Sequence, residues 1–322
     1  MRETEYAFAV AKIRANENNL LTEADLEGLI TADGVEAAQN QLSQLGFADF
    51  SDASEDAVLR RREQEAFDLI CEIAPDKNLF DFLVVKNDFH NAKAILKSMV
   101  TGNDVRSFLL YPCLTQPELF RRAVEEKNPS LLAPVLSDAV FKGYELITAT
   151  MDAQALDVLL DRLSLEASIS LAEQSKEAFS VGLAERIAAA ADFRIACRAA
   201  RMGKDAAFIG SALAGCSLLD TERLTLAALG GDKPLAEYIA QCGFDTLADA
   251  LSVSDIAFER AADDLLIDYV KNARYQSFGI APLIGYYIAR VSEIKTVRII
   301  LSCKRCQMPP ERIRERVRKL YV

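Results

Sequence analysis

The apolar side chains of this 322-residue sequence recur almost everywhere at intervals of three and four residues. That is the period of an amphipathic α-helix, whereas a β-strand would alternate every two residues. Residues that interrupt helices are sparse, with 14 glycines and 9 prolines in the chain. Hydrophobic residues make up 51% of the sequence, which is enough to fill two or three packed units of roughly 100 residues each. The sequence therefore predicts an all-α protein built from several helical units.

A short helix-opening signature recurs four times along the chain. Each copy combines a capping residue or a proline with an acidic residue in the first turn, as is favoured at helix N-termini. The copies are Thr22-Glu-Ala-Asp-Leu26, Thr115-Gln-Pro-Glu-Leu119, Asp220-Thr-Glu-Arg-Leu224 and Pro309-Pro-Glu-Arg-Ile313. Their last residues are separated by 93, 105 and 89 residues. Helical repeat arrays have periods of about 34 or about 40–47 residues, so the spacing disfavours an ordinary solenoid.

Each later copy of the signature is preceded by a helix that carries one basic residue in a matching frame. These residues are Lys93 in HNAKAIL, Arg198 in IACRAAR and Arg298 in KTVRIIL. Capped amphipathic helices resemble one another, so these residues alone leave internal triplication and chance similarity both open. We expect three helical units of one design, the third with a C-terminal closing helix. The predicted units are residues 1–112, 113–218 and 219–322.

The charge of the chain is divided between an acidic body and a basic end. From Arg290 onward there are ten basic and three acidic side chains, a net charge of +7, whereas the whole chain carries −11. An acidic body disfavours binding to nucleic acid or to anionic lipid headgroups. Such a division of charge usually marks a contact surface for another protein.

Three further features predict where the chain resides. The N-terminal MRETEYAFAV is charged from its second residue and lacks the apolar core of a secretion signal. The longest uncharged run, Ala206–Leu219, is too short to span a bilayer of about 30 Å. The seven cysteines are scattered through apolar patterns, which is typical of reduced thiols. We expect a cytoplasmic protein.

The basic end predicts a helix over Pro310–Leu320, which opens with a proline and an acid and closes with basic residues. Its apolar residues fall on one face and its arginines on the flanks. Two interpretations of the arginines stay open: they pair with the acidic body, or part of them meets an acidic partner. Arg312 and Arg316 are our candidates for partner contact.

In three segments the pattern predicts two consecutive helices. The predicted pairs are Phe80–Asn87 with Asn91–Val100, Glu166–Ala191 with Ile195–Met202, and Pro282–Val291 with Glu293–Cys303. Gln154–Leu163 is a further predicted helix.

No catalytic constellation is evident. The single histidine, His90, lacks a partner motif for nucleophilic catalysis and is interpreted as structural. Cys303-Lys-Arg-Cys306 has the spacing of a redox or zinc half-site, but the sequence holds no second CxxC. No phosphate-binding glycine motif is visible. We expect no catalytic residue, no cofactor and no metal, and interpret the chain as a binding or mechanical component.

Three C-terminal motifs and one upstream motif occur in a characteristic order. The terminal motifs are Pro282-Leu-Ile-x-Tyr286, Glu293-Ile-Lys-x-x-Arg298-Ile-Ile-Leu301 and Pro310-Glu-x-Ile-Arg-Glu-Arg-Val-Arg-x-Leu-Tyr321-Val. Their order resembles the signature of the C subunit of V/A-type rotary ATPases, called the d subunit in eukaryotic vacuolar enzymes. Upstream, Asp81-Phe-Leu-x-x-Lys-Asn-Asp88-x-x-Asn91-x-Lys93 is similar to the first-unit helix of that family. Where the family commonly has a glycine-bearing turn, this chain has Cys303-Lys-Arg-Cys-Gln-Met308.

The resemblance covers the whole chain and implies both a fold and a role. It implies a funnel of three similar helical units around a pseudo-threefold axis. The funnel would sit on the cytoplasmic end of the membrane rotor ring of proteolipid subunits and receive the shaft made by the D and F subunits. The chain would be a monomeric, non-catalytic rotor component of a hetero-oligomeric complex, peripheral to the membrane, and would transmit torque between ATP hydrolysis and ion translocation.

The resemblance also implies where the basic residues lie in the fold. Lys93, Arg198 and Arg298 would occupy equivalent positions and approach the axis as a basic ring. With the tail arginines they would help to hold the shaft or the loops of the ring. Two alternatives stay open: a generic α-helical scaffold that binds another cytoplasmic protein, and an α-helical enzyme that uses Cys303 and Cys306.

Overall fold

The computed structural model describes residues 3–51 and 53–322, which fold into α-helices joined by 3-10 turns and short loops. No β-strand forms within these residues, so the predicted all-α class is confirmed. Within the same residues, none of the helices has the length and hydropathy of a membrane-spanning segment. The helices in chain order are α1 (Ala7–Glu17), α2 (Glu23–Thr31), α3 (Gly34–Gln44), α4 (Glu55–Ile73), α5 (Asp81–Thr101), α6 (Pro117–Glu125), α7 (Pro134–Thr150), α8 (Ala153–Gln174), α9 (Ala178–Arg201), α10 (Ala206–Ala212), α11 (Thr221–Leu229), α12 (Asp232–Gln241), α13 (Asp245–Val253), α14 (Asp255–Val270), α15 (Ala281–Arg305) and α16 (Pro310–Arg314).

All four copies of the opening signature begin helices, namely α2, α6, α11 and α16. At α2 the Thr22 hydroxyl accepts from the N–H of Asp25 at 3.2 Å, and the Asp25 carboxylate accepts from the N–H of Thr22 at 2.9 Å. This reciprocal capping box satisfies two N–H groups that the helix itself leaves unpaired. Asp220 caps α11 by accepting from two N–H groups of its first turn, whereas α6 and α16 have a proline at the start.

The described chain divides into two compact units. One combines the residues up to Lys77 with Phe244–Val322, and therefore contains α1–α4 and α13–α16. The other is Asn78–Gly243 and contains α5–α12. The three units expected from the sequence, with boundaries after residues 112 and 218, stay a prediction.

In the first unit α15 is the central element. It packs against α1, α3, α4 and α14. Its Val297 and Leu301 are fully buried in a cluster with Leu29, Leu42 and Leu59 from α2, α3 and α4. Burial of an aliphatic side chain of this size contributes about 1.5–3 kcal/mol, so this cluster is a main source of the unit's stability.

In the second unit α5 packs along α8, with α7 against both. Phe89 and Leu96 of α5, Phe120 of α6 and Leu156 of α8 lie in one buried cluster. A Cβ atom at Gly143 of α7 would lie 3.1 Å from the side chains of both Leu96 and Leu156. The glycine therefore lets α7 approach this closely.

The prediction of two consecutive helices is wrong in three segments, where α5, α9 and α15 each run without interruption. The predicted gaps fall at or beside an acidic residue, namely Asp88, Asp192 and Glu293. Each of these side chains bonds to loop N–H groups outside its own helix. The backbone hydrogen bonds within each of the three helices therefore continue past the acidic residue. The break before α9 lies instead after Gln174, where Lys176 has a φ of 58°.

The predicted helix Pro310–Leu320 is also wrong in length, because α16 ends at Arg314. Beyond it the N–H of Lys319 donates to the Asp264 carboxylate of α14 at 2.7 Å. In a continued α-helix this N–H would instead bond to the carbonyl of Glu315, four residues earlier. Leu320 and Tyr321 are nevertheless buried, so the tail beyond α16 packs against the first unit.

Candidate partner-binding site

Three of the long helices, α5, α9 and α15, each carry one buried carboxylate that holds a loop by its backbone. In α5, Asp88 accepts from the N–H groups of residues 114–115 at 2.9 and 2.8 Å. In α9, Asp192 accepts from residues 214–215 at 3.0 and 2.8 Å. In α15, the Glu293 carboxylate accepts from a loop N–H in the same manner. Burial raises the pKa of Asp88 to about 6 and raises that of Asp192, against the lowering effect of the N–H bonds.

The Glu293 carboxylate is part of a buried ion pair. It accepts from the N–H of Leu21 and from the guanidinium of Arg290. Arg290 also donates to the carbonyl of Asn19 at 2.9 Å, and the two side chains are 3% and 2% exposed. Burial raises the pKa of Glu293, although Arg290 acts to lower it. The pair fixes the loop between α1 and α2 to α15.

The three loops held in this way all lie ahead of a signature helix. Residues 114–115 lead into α6, residues 214–215 precede α11, and Leu21 precedes Thr22, the cap of α2. Sequence reasoning did not identify these carboxylates as a set. The signal was present, since each acid lies five or six residues before the basic residue at 93, 198 or 298.

Two of the predicted contact residues lie in the second unit. Lys93 of α5 pairs with Asp161 of α8 at 2.5 Å, and its side chain is 18% exposed. One turn further along, Lys97 pairs with Asp157 at 2.6 Å. Lys93 therefore contributes to the packing of α5 on α8, while Arg198 lies on the exposed side of α9.

Arg298 lies in the first unit, on the exposed side of α15. Its guanidinium is 3.3 Å from the Asp56 carboxylate of α4, and the two side chains are 45% and 55% exposed. An ion pair this exposed contributes about 0–1 kcal/mol. Arg298 therefore remains available to a stronger acceptor.

The structure shows pairing with the protein's own acids for several basic side chains of the tail, and contact of Arg312 and Arg316 with a partner stays a prediction. Arg314 pairs with Glu27 of α2, Arg318 with Asp263 at 2.7 Å and Lys319 with Asp268 at 2.5 Å, so these three side chains bind the protein's own acidic body. Arg312 pairs with Glu315 within the tail at 3.0 Å, where both side chains are largely exposed.

A cleft of about 450 Å³ brings two of the predicted residues together. It lies in the first unit between the start of α14, the last turns of α15 and the tail, and we call it the tail cleft. Its charged and polar lining residues are Asp255, Glu259, Arg298, Ser302, Cys303, Arg316 and Arg318. Of the five candidates, Arg298 and Arg316 line the tail cleft and Arg312 does not.

The two cysteines of the CxxC motif have different surroundings. Cys303 is buried and Cys306 is exposed, and both are free thiols. Burial raises the pKa of the Cys303 thiol, although the Arg316 guanidinium acts in the opposite direction. A nucleophilic thiol needs a lowered pKa, so these surroundings favour a packing role for Cys303.

The ring of His90 bonds to the carbonyl of Phe108 at 3.0 Å.

Comparison with known proteins gives matches over nearly the full length. A model of the family described as ATP synthase (C/AC39) subunit matches residues 9–316. The chain is 23% identical over 323 residues to the V-type sodium ATPase C subunit of Enterococcus hirae, covering 96% of this chain and 97% of that protein. It is 23% identical over 334 residues to the V-type ATP synthase C subunit of Thermus thermophilus, covering 97% and 98%. It is 24% identical over 336 residues to the A-type ATP synthase C subunit of Haloferax volcanii, covering 95% of each.

Proposed function

Because the chain belongs to the ATP synthase (C/AC39) subunit family, we propose that it is the non-catalytic central-stalk component of a V/A-type ion-translocating ATPase. In this role it is a socket that links the shaft of the D and F subunits to the membrane rotor ring and transmits torque between them. The family match over residues 9–316 carries the proposal. The proposed location is the cytoplasmic face of the membrane, where one copy binds peripherally through the ring.

The proposed architecture is a funnel of three similar helical units around a pseudo-threefold axis, residues 1–112, 113–218 and 219–322. Its support is the threefold recurrence of one local arrangement: a long helix, a buried carboxylate, and a basic residue five or six positions later. A further support is that the three carboxylates hold loops ahead of α6, α11 and α2. The last of these contacts joins the end of the chain to its beginning.

The proposed contacts with the shaft or the ring are made by Lys93, Arg198 and Arg298 together with Arg312 and Arg316. One exposed ion pair contributes only about 0–1 kcal/mol, so a grip that withstands torque needs several such pairs and apolar burial. The contacts should therefore weaken as the salt concentration rises.

The proposal is tested by reversing two of the charges in the assembled enzyme. We expect the double variant Arg198→Glu/Arg298→Glu to weaken binding of the chain to its complex by about tenfold or more, because attraction becomes repulsion at two contacts. ATP-driven ion pumping should fall accordingly, and the loss should be measured at moderate ionic strength. The control is Arg106→Glu, whose exposed side chain pairs with the neighbouring Asp104. Unchanged assembly and pumping in the double variant would show that these residues do not hold a partner.

A further inference from the structure

The loop between α14 and α15, residues 271–280, exposes two aromatic side chains, and we call it the aromatic loop. Tyr275 is 88% exposed and Phe278 is 47% exposed. Single exposed apolar residues are common on protein surfaces, whereas here two rings lie three residues apart on one loop. Aromatic side chains, tyrosine among them, are enriched at the centre of protein interfaces. The aromatic loop is therefore a candidate contact surface.

The backbone of the aromatic loop is fixed at its base by two other elements of the first unit. The Arg14 guanidinium of α1 donates to the carbonyls of Ala273 and Gln276 at 2.8 and 2.9 Å. Ala273 itself is fully buried. Arg274 donates to the carbonyl of Tyr321 in the tail at 3.2 Å. The two rings are thus carried on a backbone that is already ordered, which lowers the entropy that a partner would lose on binding here.

The aromatic loop lies in the longest stretch of the sequence without an acidic residue, 269–292. Its charged residues are Lys271 and Arg274. Lys271 has no ion pair among the described residues, and the partner of Arg274 is a carbonyl, which does not neutralise its charge. The acid that precedes the loop, Asp268, is paired with Lys319 at 2.5 Å. The loop therefore has a local positive charge within an acidic protein.

The charge and the rings together select an occupant that is acidic and partly apolar. Its apolar side chains would cover the rings, and its carboxylate would pair with the cations beside them. An anionic membrane surface offers the same two features, but it would repel a chain whose net charge is −11. A protein can present a local acidic patch without that repulsion, so the charge of the chain favours a protein.

We propose that the aromatic loop binds a partner protein of the same complex, at a surface where apolar side chains lie beside a carboxylate. Tyr275 and Phe278 pack on the apolar side chains, and Lys271 and Arg274 pair with the carboxylate. This inference rests on the proposed function for the existence of the complex. It adds a contact surface outside the five basic residues already proposed, and it states the chemistry that this surface selects.

Hydroxyl-radical footprinting measures whether the aromatic loop becomes covered in the unmodified chain. The free chain is compared with the chain assembled on membranes that hold the remaining subunits, prepared from a strain that lacks this chain. Trypsin places both exposed rings in one peptide, residues 275–290, together with Tyr286 and Tyr287, which are buried and should oxidise slowly in both states. We expect assembly to slow the oxidation of Tyr275 and Phe278 by about fivefold or more, because an interface core excludes water.

Two variants of the loop then test the chemistry of recognition. Tyr275→Ser/Phe278→Ser removes the rings, and Lys271→Glu reverses a charge. We expect each to weaken binding to the membranes by about threefold to tenfold, whereas Lys271→Arg should bind as the wild type does. The matched control is Phe108→Ser, at an exposed ring of the other unit, and it should also bind normally. The thermal unfolding midpoint should stay unchanged in all of these variants, because none of the substituted side chains is buried.

The outcomes separate this inference from the proposed function. If the chain assembles but its loop rings stay as reactive as in the free chain, or either loop variant binds as well as the wild type, the inference is overturned and the proposed function stands. A loss of binding as large in Phe108→Ser as in the ring variant overturns it too. Protection of the rings by phosphatidylglycerol vesicles, without the other subunits, would show that the loop binds lipid instead of a protein. If the chain does not assemble on the membranes at all, the proposed function fails and the inference with it.

Discussion

Gln307 ends α15 in a conformation that L-residues rarely adopt. Its φ is 53°, and the N–H of Met308 bonds to the carbonyl of Cys303 at 3.0 Å, which is the Schellman arrangement. The equivalent position after α9 is Gly203, with a φ of 71°, and there the N–H of Lys204 bonds to the carbonyl of Ala199 at 3.0 Å. The glycine missing from the Cys303–Met308 turn is thus replaced by a strained glutamine, while the turn geometry is kept.

This comparison predicts that Gln307→Gly stabilises the protein. The left-handed conformation costs an L-residue about 1–2 kcal/mol, and the greater freedom of glycine in the unfolded chain offsets part of the gain. We expect the free energy of unfolding to rise by about 0.5–1 kcal/mol in denaturant titrations. The matched control is Gly203→Ala, which should lower it by about 1 kcal/mol. A Gln307→Gly variant less stable than the wild type would contradict this interpretation of the turn.

Asp88 predicts a pH dependence of stability with a definite sign. Its pKa is raised from 3.8 to about 6 in the folded protein, chiefly by burial. A carboxyl with a raised folded pKa contributes its full stability below its unfolded pKa and loses it as the pH rises through the folded value. We expect the stability of the wild type relative to Asp88→Asn, which does not titrate, to fall by about 2–3 kcal/mol between about pH 4 and pH 7. A relative stability that is flat or rises over this range would mean that folding does not raise the pKa of Asp88.

Among the elements, α15 shows most clearly what the sequence could predict. Its apolar period predicts helix along nearly its whole length, and the predicted interruption near Glu293 is the error. A charged pair within an apolar stretch is typical of a helix end, and no local pattern reveals that Leu21, which is 272 residues away, supplies the bonding partner. The predicted extension of α16 fails for the same reason, because the deciding partner, Asp264, lies on another helix.

The buried pair on α15 predicts an unequal effect of two arginines on the same helix. Arg290→Ala leaves the Glu293 carboxylate buried without its cation, which costs about 3–5 kcal/mol. Arg305→Ala breaks an ion pair with Glu55 in which the arginine is exposed, and should cost only about 0–1 kcal/mol. Urea unfolding of the two variants measures the difference. Equal losses of stability would show that Arg290 does not secure the loop between α1 and α2.

For the whole molecule, the sequence predicted the helical class and the family, because both rest on patterns that local residues carry. The candidate site was predictable only in part. Arg298 was identified from its frame in a helix and Arg316 from the charge of the tail. Their meeting in one cleft depends on how the tail folds back along α14 and α15. The pairing of Lys93 with Asp161 could not be predicted either, since it depends on the packing of α5 on α8.

We propose that this chain is a rotor component that joins the shaft to the membrane ring. Electron cryo-microscopy of the intact ATPase, purified through a tag on this chain, tests it most directly. We expect density for the chain on the rotation axis, between the coiled-coil shaft and the ring, with three similar helical units around the axis. Density for the chain away from the axis, on a stationary part of the complex, would contradict it.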